Sequence, residues 1–178
     1  MREKLIDWLR ERGAADFNHT GVAFLDHLTA TGELLYGWTG DETLRLVGYA
    51  HSLYAENSGP CILDRDDRST LRELIGQQAE RLVYLNCVLL RDAYDGPLLS
   101  GKERDHVIDR FNGDRLDLEP SEFIRLGAVQ LADWIEQLPR RGDPAYRPKA
   151  FSAIARELGQ TPMRDYVETV RSAEARSL

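Results

Sequence analysis

The sequence predicts an all-α fold, a compact helical bundle with one small β-hairpin. Apolar residues recur at three- and four-residue spacing along most of the chain, and Gly, Pro and Asn punctuate those runs where helices should stop. Alternating βαβ patterning is missing, as are the G-x-G-x-x-G, P-loop and G-x-S-x-G motifs. At 178 residues the chain suits one domain, residues 1–178, able to bury roughly two-thirds of its unfolded surface without staples.

Leu5, Trp8 and Leu9 mark a short opening helix that ends at Gly13. A second helix is expected from Thr20 to about Tyr36, broken by Gly37. Asp41 reads as the N-cap of a third, which Leu44, Val47 and Leu53 carry to about Glu56. Asn57-Ser58-Gly59-Pro60 stops it, and residues 57–67 read as a loop. Helix resumes near Ser69, bends or restarts at Gly76, and runs through Leu82, Leu85 and Leu89 to about Tyr94. Residues 95–119 are the least regular. Within them, His106 to Phe111 and Arg115 to Leu118 flank Asn112-Gly113, the signature of a hairpin closed by a tight type I′ turn. A strongly apolar helix follows from about Ser121 to Leu138–Pro139, then a linker over 139–148. Two final helices, within residues 148–175, are expected from Pro148 to Leu158 and from Thr161-Pro162 onward.

Cys61 and Cys87 are too few for a disulfide framework, and neither has a CxxC or CxxH neighbour, which excludes zinc-finger and thioredoxin-type sites. The net charge of −7, with acids and bases interspersed, argues against nucleic acid or an anionic membrane as a partner. The N-terminus MREKLIDWLRERG lacks a signal peptide's apolar core, and no window approaches the roughly 18 apolar residues of a membrane span. The expected location is cytoplasmic and the expected partner a small-molecule substrate; a homodimer is left open.

Three titratable residues sit on apolar stripes. His27 shares a face with Phe24, Thr31 and Leu34, His51 with Leu44, Val47 and Tyr54, and Asp133 with Leu126, Val129 and Gln137. A buried carboxylate is costly unless paired or coordinated. Imidazoles and a carboxylate facing one another inside a bundle commonly hold a divalent metal. Each residue also has a plainer reading, a hydrogen-bonded core histidine or an aspartate paired with Arg81 or Arg125. Periodicity alone does not make the three meet.

Local patterns add to this. Phe24-Leu25-Asp26-His27-Leu28 is followed by Gly48-Tyr49-Ala50-His51-Ser52-Leu53-Tyr54-Ala55-Glu56, then by Thr70 to Val83 with its Ile75-Gly76 step, then by Gln130-Leu131-Ala132-Asp133-Trp134-Ile135-Glu136-Gln137. In order and coarse spacing, residues 17–138 resemble the HD-domain superfamily, especially the Rel/SpoT-type guanosine tetraphosphate hydrolases. A nearer likeness is to an uncharacterised HD-like family with His-Ser in place of His-Asp. The resemblance implies an HD-domain-like core over 17–138, with His27, His51 and Asp133 as ligands of Mn, Fe or Zn. It implies Glu56 as the residue orienting water, its acidic neighbour replaced by Ala55. It also implies substrate contacts from Gln137.

Ser52 departs from the pattern. It stands where the family has a metal-binding Asp, and a neutral hydroxyl is a far weaker ligand for a hard cation. Ser52 and Tyr54 are candidate substrate contacts, and His19 is a candidate fourth ligand, general base or helix-start residue. Glu80 is a minor candidate, and Arg65, Arg68 and Arg72 are either a phosphate-binding set or a solvated face. Three functions stay open: a metal-dependent phosphoester hydrolase of HD type, a non-haem iron oxygenase, and a metal-free binding module or acid–base enzyme.

Overall fold

A computed structural model describes residues 1–54, 62–64, 68–141 and 143–176. Among these residues the chain is mostly helical, with nine α-helices and two small two-stranded antiparallel sheets. Residues Met1–Cys87 and Val88–Leu178 form two compact units.

The first unit opens with α1 (Arg2–Glu11), which buries Leu5 and Leu9. A short hairpin follows, β1 (Asn18–His19) paired with β2 (Val22–Ala23). Thr20 and Gly21 connect the strands, and both have positive φ, 50° and 88°, the sign pattern of a type I′ turn. A β-branched residue rarely adopts that conformation, so nothing in the local sequence advertises this hairpin. The helix expected from Thr20 therefore begins four residues later, as α2 (Phe24–Thr39), and runs through Gly37 rather than breaking there. Gly40 ends it at φ 64°. Asp41 caps α3 (Glu42–Ala50) as expected, its Oδ1 accepting from the Thr43 and Leu44 amides at 2.8 and 3.3 Å. The α3 helix stops at Ala50, earlier than the sequence suggests. Gly76, at φ 85°, separates α4 (Ser69–Ile75) from α5 (Gln77–Val88), a full restart.

Helices α2 and α3 form an antiparallel hairpin folded about Gly40-Asp41. Gly32 and Gly48 lie opposite one another in it. A Cβ added to Gly48 would come within 2.7 Å of the Gly32 amide nitrogen, and one added to Gly32 within 2.7 Å of the Arg45 carbonyl oxygen. Two glycines thus let the backbones approach to a distance side chains forbid. That register also sets His27, five residues before Gly32, opposite His51, three residues after Gly48.

The second unit holds α6 (Arg91–Ser100), a hairpin of β3 (His106–Ile108) and β4 (Arg115–Asp117), and three further helices, α7 (Glu122–Arg141), α8 (Pro148–Leu158) and α9 (Gln160–Arg176). The hairpin lies where the sequence places it, but its loop spans 109–114 and only Gly113 takes positive φ. Asp109 and Asp114 exchange a backbone bond across it, so the connection is wider than a two-residue turn. Two helices carry a proline beyond their first turn: α6 runs through Pro97 and α7 through Pro139, which therefore does not end α7. Tyr94 stacks on Phe123 at 4.3 Å and donates to the Phe123 carbonyl. Arg147 pairs with Asp95 and donates to Gln130 Oε1, joining α6 and α7 to the start of α8. Trp134 stacks on Phe151 at 4.6 Å.

Candidate metal centre

His27 and His51 are both almost fully buried, at 1% and 2% exposure. Their Nε2 atoms stand 3.3 Å apart. His51 Nδ1 lies 2.8 Å from the Gly48 carbonyl, which only accepts, so Nδ1 carries the proton and Nε2 presents a lone pair. The His51 carbonyl, in turn, accepts from Asn86 Nδ2 at 3.0 Å and from the Cys87 thiol at 3.2 Å, both on α5. Backbone and side chain of His51 are thus fixed from separate directions. An imidazole whose far nitrogen is held by a carbonyl is the usual arrangement of a metal ligand.

The structure thus brings two of the three expected ligands, His27 and His51, together within the first unit, while Asp133 belongs to the second. Asp133 is half-buried on α7, and Gln137, one turn on, donates to its Oδ1. The donor set suits a metal: two imidazole nitrogens on a tetrahedral ion, each at about 2.0–2.1 Å, are about 3.3 Å apart. That is the spacing found between the two Nε2 atoms.

His19 is half-buried. Its ring lies against the His27 ring, centroids 4.8 Å apart, and edge-on to Phe24 at 5.5 Å. The Thr20-Gly21 turn holds it there. Ser52 follows His51 directly, and its Oγ is buried with no hydrogen-bond partner among the described residues. Tyr54 is fully buried and donates to Glu80 Oε1 at 3.2 Å. Burial, and then the Glu80 charge, push its hydroxyl far above the ordinary phenol range. Gln137 is buried against Asp133, where it orients the carboxylate. Glu56 and Arg65 lie outside the described residues.

Glu80 is fully buried, and its carboxylate receives Arg68 through Nε and Nη2, at 2.5 and 2.8 Å, and Arg72 through Nε at 2.9 Å. Arg68 also lies over the Tyr84 ring at 3.8 Å. The two arginines are therefore partners of an internal acid, neither a simple solvated face nor an uncommitted anion site. Sequence reasoning passed over Asn86 and took from Cys87 only the exclusion of disulfide and thiol-metal sites, since an Asn and a Cys inside an apolar helix carry no spacing signal of their own. A surface groove lined by Leu98, Leu99, Pro148, Lys149, Arg156 and Glu157 contains none of the expected site residues. Among the described residues, no helix is long and apolar enough to cross a membrane.

No curated protein and no solved structure matches the chain. Residues 8–91 match the model of a family described as a domain of unknown function, DUF6817. The matched stretch holds His19, His27, His51 and Ser52 and ends before Asp133.

Proposed function

We propose that the chain is a metal-dependent hydrolase that cleaves a phosphoester of a small molecule. The observation that carries this reading is the buried pair of His27 and His51, whose Nε2 atoms stand at the spacing of two ligands on one ion. Two imidazoles and one carboxylate fill three positions of a Mn, Fe or Zn site and leave others open for water and substrate. When bound, such an ion polarises a phosphoryl oxygen and lowers the pKa of a coordinated water.

The chain's own residues have distinct parts in this proposal. His27, His51 and Asp133 hold the ion. The Gly48 carbonyl keeps the His51 proton on Nδ1, and Gln137 orients Asp133. Without metal, His51 Nε2 accepts, so His27 Nε2 is the donor of that pair. Loading therefore requires His27 to carry its proton on Nδ1 instead. His19, partly open to solvent beside His27, is the residue we assign to moving a proton for the reaction. Glu56, outside the described residues, is the acid that the family resemblance assigns to the water.

Elemental analysis of gently purified protein, followed by phosphate-release assays on nucleotide and sugar phosphoesters, tests the reading. Stoichiometric divalent metal, lost in His51→Ala, with phosphate release that depends on it, is the expected result. Protein that binds no divalent ion even after reconstitution rules the hydrolase out. The same donor set also suits Fe(II) oxygen chemistry; bound iron with oxygen uptake and no phosphate release would replace hydrolysis with that reaction.

A further inference from the structure

We propose that Asn86 and Ser52 form a subsite beside the His27–His51 pair that recognises a hydroxyl group of the bound small molecule. This rests on the phosphoester reading above and adds a feature that the substrate must carry.

Asn86 is buried, at 7% exposure, and donates through Nδ2 to the His51 carbonyl at 3.0 Å. Turning the amide over would set Oδ1 against that carbonyl, two acceptors face to face, so the donor is fixed and Oδ1 must point elsewhere. It is buried there, with no hydrogen-bond partner among the described residues. Ser52 Oγ, on the residue after His51, is in the same condition. Both residues are tied to His51, a candidate metal ligand: Asn86 by its bond to the His51 carbonyl and Ser52 by following it in the chain.

Buried polar atoms are nearly always paired, and each exception calls for a reason. Cys87 alone already donates to the His51 carbonyl, so holding that carbonyl does not by itself require a second donor with an idle acceptor. Apolar Leu would fill the space of Asn86 without leaving an oxygen stranded. The pair offers one obligatory acceptor, Asn86 Oδ1, and one group that both donates and accepts, Ser52 Oγ. The matching ligand group donates one hydrogen bond and accepts another. A hydroxyl does both, whereas an ether oxygen, a carboxylate or a methyl group cannot donate. Sites built to bond a substrate hydroxyl discriminate strongly against analogues lacking it, because their own polar atoms are then left unpaired.

The test uses two phosphoesters that differ by one hydroxyl, 2-hydroxyethyl phosphate and ethyl phosphate, titrated calorimetrically into Mn(II)-loaded protein. Wild type is expected to bind the hydroxylated ester at least tenfold more tightly. Asn86→Leu and, as a milder change, Ser52→Ala should each bring the two affinities within about threefold. Equal binding of both esters by wild type overturns the subsite and leaves the phosphoester reading standing. A preference that survives in both variants also overturns it, since the hydroxyl then binds elsewhere. Failure of both esters to bind loaded wild type overturns the phosphoester reading, and the subsite with it.

Discussion

Gly48 packs against Gly32 so closely that neither position has room for a Cβ, and this crossing sets the spacing of the two imidazoles five and three residues away. Gly48→Ala is expected to force α2 and α3 apart, costing about 1–3 kcal/mol, as overpacking of a filled core usually does. The same change should weaken divalent-metal binding, because the His27–His51 distance depends on the crossing. Gly37 is the control. It also lies within α2, but a Cβ there meets nothing within 4 Å. Gly37→Ala should stabilise by about 0.5–1 kcal/mol, since Gly is the poorer helix former. Urea denaturation of both variants, with metal titration of the first, checks the pair. Equal effects from the two substitutions would mean that the crossing is not close.

That crossing also shows how far the sequence could be read. The inward faces of α2, α3 and α7 follow from three- and four-residue spacing, and His27, His51 and Asp133 lie on those stripes, so their identities as candidates are legible. The meeting of His27 and His51 is not, because it depends on a pair of glycines whose effect is to permit contact rather than to make any. The β1–β2 hairpin is hidden for a different reason. Its turn uses Thr20 in a conformation that Thr rarely takes, while the familiar Asn112-Gly113 signal sits in a wider loop. Pro139 misleads too. Proline penalises a helix interior by removing one donor and crowding the preceding turn, yet α7 carries on through it to Arg141. Asn86 shows no periodic signal at all, since its importance lies in one amide bond to a residue 35 positions away.

Glu80 leads to the second prediction. It is fully buried with Arg68 and Arg72 on its carboxylate, and the two arginines are not equivalent. Arg68 makes two hydrogen bonds, lies on Tyr84, and has a side chain 25% exposed; Arg72 makes one and is 46% exposed. Removing one partner from a fully buried pair costs about 3–5 kcal/mol, while exposed pairs are worth about 0–1 kcal/mol. Arg68→Ala should fall between, at about 2–3 kcal/mol, because Arg72 and Tyr54 still serve the acid. Arg72→Ala should cost about 1 kcal/mol or less. Chemical denaturation gives both values, and a reversed order would show that stacking on Tyr84 and the second hydrogen bond contribute nothing.

The third prediction concerns two buried tyrosines, Tyr54 and Tyr94, and the alkaline side of stability. Burial raises the Tyr54 hydroxyl, with the Glu80 charge second, and burial also raises that of Tyr94. In the unfolded chain both ionise near pH 10. Their contribution is therefore complete below about pH 10 and is lost as pH rises beyond it, since the unfolded chain then releases protons that the folded chain keeps. Melting temperature should fall steeply above about pH 10 in wild type. Tyr54→Phe and Tyr94→Phe should each flatten that decline, although each loses its hydrogen bond, to Glu80 or to the Phe123 carbonyl, at neutral pH. An alkaline limb unchanged in both variants would place the responsible groups elsewhere.

Ser52 gives the last prediction. Its Oγ is buried beside His51 with no partner among the described residues. Ser52→Asp places a hard, anionic oxygen donor on that position, the kind of ligand that divalent cations prefer. With metal absent, the new carboxylate stands where the Ser52 hydroxyl is buried and is costly, so the melting temperature of the metal-free variant should drop below that of wild type. Adding Mn(II) should reverse the order, because an ion that binds only the folded chain stabilises it in proportion to the logarithm of its concentration over its dissociation constant. Calorimetry should show at least tenfold tighter Mn(II) binding in Ser52→Asp. A variant that is destabilised but binds the ion no better would mean that the side chain at 52 does not reach the metal, and that the three remaining ligands act without it.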